Sequence, residues 1–108
     1  MNCFYQEIVI EDGHNATAFV VTTSKGHANG IYIQKLDRIM IHDVIAPNGL
    51  KGLMRILINK FKTNKVTFTP LITDGIKNNI RGEIKICKAD SPENPYQEDF
   101  EYMECVWE

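Results

Sequence analysis

The residues best placed to do chemistry are Gly49, Leu50, Lys51 and Gly52, directly after Pro47-Asn48. Pro47 ends an extended run, the Asn-Gly pair completes a turn, and Leu50 opens an apolar stripe with helical spacing. The first amides of a helix have no partner within it, and the helix dipole favours an anion there. Glycines let a ligand come close to the backbone. Lys51, and Arg55 one turn further on the same side, supply cations. The amides of Leu50 to Leu53, with these neighbours, therefore read as a place for a phosphate. The plain alternative is a strand-to-helix turn with solvated cations.

The elements that must position this turn follow from hydrophobic periodicity. Phe4 to Ile10 and Ala16 to Thr23 read as strands separated by the turn residues Glu11-Asp12-Gly13. Ser24 to Gly30, with two glycines and an Asn-Gly pair, reads as a hairpin loop, and Ile31 to Leu36 as the third strand. Arg38 to Ala46 is the fourth. Its alternation breaks at Val44-Ile45-Ala46, which predicts a bulge near Asp43–Ile45. Leu50, Leu53, Met54, Leu57, Ile58 and Phe61 keep helical period, and Lys65 to Leu71 resumes strand alternation. A strand, a helix and a strand with short links predict a parallel pair with a right-handed crossover. Thr73 to Gly82 reads as a short weak helix or irregular segment. Glu83 to Lys88 and Phe100 to Trp107 read as a closing antiparallel pair of strands.

The fold class is α+β: one domain over residues 1–108, with a mixed, mostly antiparallel sheet of about seven strands and one main helix crossover. The chain has 108 residues, 44% hydrophobic and 24% charged, ordinary values for a globular domain. No apolar run approaches the ~18 residues needed to cross a membrane. Cys3, Cys87 and Cys105 are odd in number and widely spaced, which argues against a disulfide framework and predicts a cytoplasmic protein. His14 and His27 lie in turns without metal-ligand spacing, so no metal is expected.

The net charge of −2 is unevenly spread. Residues 51–89 carry nine basic and two acidic side chains; residues 90–108 carry seven acidic and no basic ones. The two regions either neutralise each other or present separate faces to partners. Nucleic acid is an unlikely partner, because few aromatics interleave with the cations. An exposed sheet edge could support a homodimer.

In element order the chain resembles the GNAT-type acyl-CoA N-acyltransferases. Ile45-Ala46-Pro47 is similar to the V-x-P that ends that family's fourth strand, and Gly52 takes the first glycine of its Q/R-x-x-G-x-G/A loop. Gly49 and Met54 stand at the other two motif positions without matching them. No room is left between the first two strands for the family's pocket helices, and the N-x-x-A-x-x-x-Y region has Asn78 but no Tyr. The resemblance implies a reduced member. It also implies acetyl-CoA held by Ile45, Gly49, Leu50, Lys51, Gly52, Leu53 and Arg55, and acetyl transfer to an amine. The base would be Asp43 or His42, only one of which can face the cleft. Tyr96 and Tyr102 remain as acids. The other reading keeps the same architecture as an inactive interaction module that uses its acidic C-terminal hairpin.

Overall fold

The computed structural model describes residues 1–10, 13–69, 81–92 and 97–107. Seven strands and one helix follow in the order β1 (Asn2–Val9), β2 (Asn15–Thr23), β3 (Gly26–Ile33), β4 (Arg38–Ile45), α1 (Leu50–Phe61), β5 (Lys65–Phe68), β6 (Glu83–Cys87) and β7 (Phe100–Val106). They form one sheet in the spatial order β1-β2-β3-β4-β5-β7-β6. Among the described residues the single parallel pair is β4 with β5, joined through α1; every other pair is antiparallel.

The helical stripe forms α1 as its spacing predicts. Leu53, Met54 and Leu57 are fully buried, against a sheet face built from Phe19, Val21, Ala28, Ile39, Ile41, Val66, Phe68 and Met103. Lys62 ends the helix in the left-handed conformation, and its N–H donates to the Ile58 carbonyl at 2.7 Å. Thr63 then locks the exit. Its hydroxyl donates to the Asp37 carbonyl at 3.0 Å and accepts from the Lys65 amide at 3.3 Å. At the last turn of α1, Phe61 stacks on Tyr32 at 4.6 Å between ring centroids and meets Tyr5 edge-on at 5.9 Å.

Three departures from the sequence reading have physical causes. The acyltransferase resemblance does not hold as a fold assignment: that fold carries several helices, whereas the described residues form a sheet with one helix. β1 ends at Val9 and β2 begins at Asn15, and the Ile10 amide donates to the His14 carbonyl at 3.0 Å. The second departure is the Asn29-Gly30 pair, expected in a loop, which lies inside β3. A Cβ on Gly30 would collide with the Met40 carbonyl oxygen and lie 3.0 Å from the Phe19 ring, so glycine stands there for close packing and not for a turn.

The third departure is the bulge. The register of β3 against β4 slips between Asn29, opposite Asp43, and Gly30, opposite Ile41, so His42 is the extra residue and the bulge precedes Asp43–Ile45. The expected helix or irregular segment over Thr73 to Gly82 lies mostly outside the described residues, as do Leu71 and Tyr96.

Two substitutions test the packing. Leu57→Ala should cost about 2–5 kcal/mol through the cavity it leaves. Gly30→Ala should cost about 1–3 kcal/mol through overpacking. Both would be read from denaturant midpoints at unchanged slope.

Candidate functional site

The site forms where β4 outruns β5. The parallel pairing covers Ile39–Val66, Met40–Thr67 and Ile41–Phe68, and the Thr69 amide still donates to the Ile41 carbonyl at 2.9 Å. β4 continues from His42 to Ile45, paired with β3 alone among the described residues. The chain then turns over this end of the sheet into α1.

The start of α1 is uncapped. Gly49 is its N-cap, no side chain accepts from the first amides, and the first turn holds no acidic residue. The Leu53 amide donates to the Gly49 carbonyl at 3.1 Å, which removes it from the expected set of anion donors. Its side chain is core. The amides of Leu50, Lys51 and Gly52 have no acceptor among the described residues. Gly52 is exposed, and a Cβ there would meet nothing within 4 Å. Lys51 and Arg55 are exposed beside it.

Lys25 is a cation that reading along the chain could not place here. It lies in the turn between β2 and β3, and its Cβ would come 2.7 Å from a Cβ on Gly49. The sheet order brings this turn under the helix start. Ile45 is exposed at the end of β4, in register with His27 of β3.

The bulge decides the geometry of the two base candidates. Strand partners share a face. Ala28 is core, so Asn29 faces away from α1, and Asp43 opposite it does the same. Asp43 therefore leaves the face of Ile39 and Ile41, while Val44, opposite Ala28, packs against the core. His42 occupies the bulge itself. Its surface is exposed to solvent, yet its ring is crowded enough for desolvation to lower its pKa below the ordinary 6.5. A neutral imidazole near pH 7 can accept a proton.

His14 Nε2 accepts from Lys35 Nζ at 3.0 Å, whereas His27 lies at the start of β3, between Thr22 of β2 and Ile45 of β4. Among the described residues no cluster of His, Cys, Asp and Glu could hold a metal. Burial pushes the Cys105 thiol up to about 11, which keeps it protonated and inert. Tyr102 is placed in β7, away from α1 in sequence register with Lys85. A cleft of ≈ 410 Å³ exists at the opposite end of α1, lined by Tyr5, Glu7, Tyr32, Gln34, Lys60 and Phe61. Burial, more than the bond to Asp37 at 2.7 Å, raises the Tyr32 phenol to about 12.

Among the described residues no helix is long and apolar enough to cross a membrane. Comparison of the chain with family models, with curated proteins and with solved structures finds no match in any of the three. Together with the single helix among the described residues, this overturns the expected membership of the acyltransferase family.

The lowered pKa of His42 has a consequence for stability. The unfolded chain takes up a proton near pH 6.5, while the folded one resists it until a lower pH. The folded state therefore keeps this contribution above pH 6.5 and loses it as the pH falls through the folded value. His42→Gln should flatten the loss of stability between neutral and mildly acidic pH, measured by urea midpoints at a series of pH values. An identical slope in both proteins would show that His42 is not responsible.

Proposed function

We propose that the chain binds a phosphate-bearing small molecule at the start of α1, and that the first candidate is acetyl-CoA, with acyl transfer to an amine as the reaction. The observation that carries this reading is the helix start itself. Three amides lack acceptors among the described residues, no carboxylate competes for them in the first turn, and Lys51 and Lys25 lie beside them. Anion recognition needs this combination of aligned N–H groups and cations. Gly52 supports it, because nothing in the fold requires glycine there and its absent side chain leaves the backbone approachable.

The donor set fits a diphosphate and says less about the rest of the ligand. In acyl transfer, a C–N bond forms at the carbonyl carbon while the C–S bond breaks. The amine loses a proton and the departing thiolate gains one. His42 is the chain's own group able to take the first proton, since it is exposed at the bulge and its pKa is lowered. Asp43, turned to the other face, is the weaker candidate for a base that must serve the α1 side.

The interaction-module reading stands second. Part of the acidity of the C-terminal hairpin is matched inside the fold: Lys85 Nζ bonds Glu104 at 2.8 Å, and Lys88 Nζ lies 3.5 Å from Asp99. This pairing leaves less charge for a basic partner.

Thermal unfolding with added acetyl-CoA tests the proposal. Ligand at a hundredfold excess over Kd should stabilise the native state by about 2.7 kcal/mol. Lys51→Glu and Gly52→Glu should abolish the shift. No shift at millimolar acetyl-CoA or free pyrophosphate would refute anion binding; a shift without N-acetylated product from amine mixtures would refute the transfer step. A companion variant separates fold from ligand. Gly52→Ala should raise stability by about 0.5–1 kcal/mol, because alanine is the better helix former, while weakening any bound phosphate.

A further inference from the structure

We propose that two copies of this chain join through β1, edge to edge and antiparallel, about a twofold axis normal to the sheet. β1 is an outer strand of eight residues whose far side is paired by no described residue. Such an edge presents a row of backbone N–H and C=O groups that another strand satisfies. Proteins that stay single usually block their edges with charges, prolines or bulges. The opposite edge is short and carries Glu83 and Lys85. β1 has Glu7 as its one charge, no proline, and unbroken register with β2 from Asn2 to Val9.

The side chains near this edge suit a strand of the same sequence. Phe4 is 63% exposed, Val9 67% and Val20 46%, and Phe4 lies directly opposite Val20. Phe4 and Ile8 alternate with Tyr5, which packs toward α1, so both lie on the face that α1 does not cover. A twofold axis normal to the sheet keeps each side chain on its own face, which requires even residues to oppose even ones. Centring the pairing on Gln6 sets Phe4 of each copy against Ile8 of the other, Tyr5 against Glu7, and Cys3 against Val9. The two apolar pairs then close over the seam, as aromatic and β-branched partners do across strands. Centring on Tyr5 instead sets Phe4 against Gln6 and Cys3 against Glu7, which buries less apolar surface. The even-parity register around Gln6 is therefore the one the sequence of the edge favours. Both copies of α1 fall on the same side of the continuous sheet, and the helix starts remain open.

Sedimentation equilibrium of the full chain should give twice its mass of 12.4 kDa. The register is tested with Val9→Cys, a change at an exposed position. Opposed residues on antiparallel strands have Cα atoms about 4.5–5.5 Å apart, within the span of a disulfide. Diamide accepts the two hydrogens as the thiols of residue 3 in one copy and residue 9 in the other join. The variant should then run as a covalent dimer on non-reducing gels, and Cys3→Ser with Val9→Cys should not. Phe4→Lys with Ile8→Lys should give monomers, and Phe4→Lys with Ile8→Glu should restore the dimer in a salt-sensitive form. A monomeric mass for the unaltered chain at all concentrations overturns the proposal, as does a Val9→Cys protein that resists cross-linking.

Discussion

The burial of Leu53, Met54 and Leu57 against the central strands is the contact on which the rest of the molecule depends. It fixes α1 across one face and thereby forces β5 to lie parallel to β4. Parallel neighbours need such a crossover, since no tight turn can join them. The same contact holds the start of α1 over the end of β4, where three amides have no acceptor among the described residues. The packing that makes the core therefore also positions the helix start proposed to receive an anion, with no separate scaffold for it.

The other end of α1 is secured differently. Phe61 touches Tyr5, Phe19 and Tyr32, and Lys60 Nζ lies 4.6 Å above the Tyr5 ring. This cluster ties the helix to β1, β2 and β3, while the exit through Lys62 and Thr63 ties it to the turn before β4. One end of the helix is thus dressed in rings and the other in bare amides. That asymmetry follows from sequence: aromatic and capping residues occupy the last turn, glycines the first.

Much of this was legible in the chain. The helical stripe named its own ends, the β4-to-β5 crossover followed from short connections, and the closing hairpin appeared where alternation predicted it. Gly30 was misread because Asn-Gly is a turn signal by local chemistry, whereas its true cause is the proximity of Met40 and Phe19, which come from other strands. The bulge was visible as broken alternation but not its position, because a slip at His42 and one at Asp43 leave similar patterns and differ in which side chain faces the core. Lys25 could not be found at all. Its neighbourhood to Gly49 is created by strand order, with no trace in local spacing. The family resemblance was carried by element order and one glycine, and order alone does not specify how many helices cover a sheet.

The placement of β7 between β5 and β6 bears on how the chain finds its shape. β1 to β4 form a meander in which each ladder joins neighbours in sequence, so those loops close over few residues. Lys65, by contrast, must meet Val106, and the Trp107 amide must reach the Asn64 carbonyl at 2.7 Å. Closure entropy grows with the length of chain enclosed, and contacts distant in sequence are gained slowly. The meander is thus suited to early assembly and β7 to late insertion. Until it arrives, β5 exposes an open flank, and that interval is when an unintended strand could take its seat.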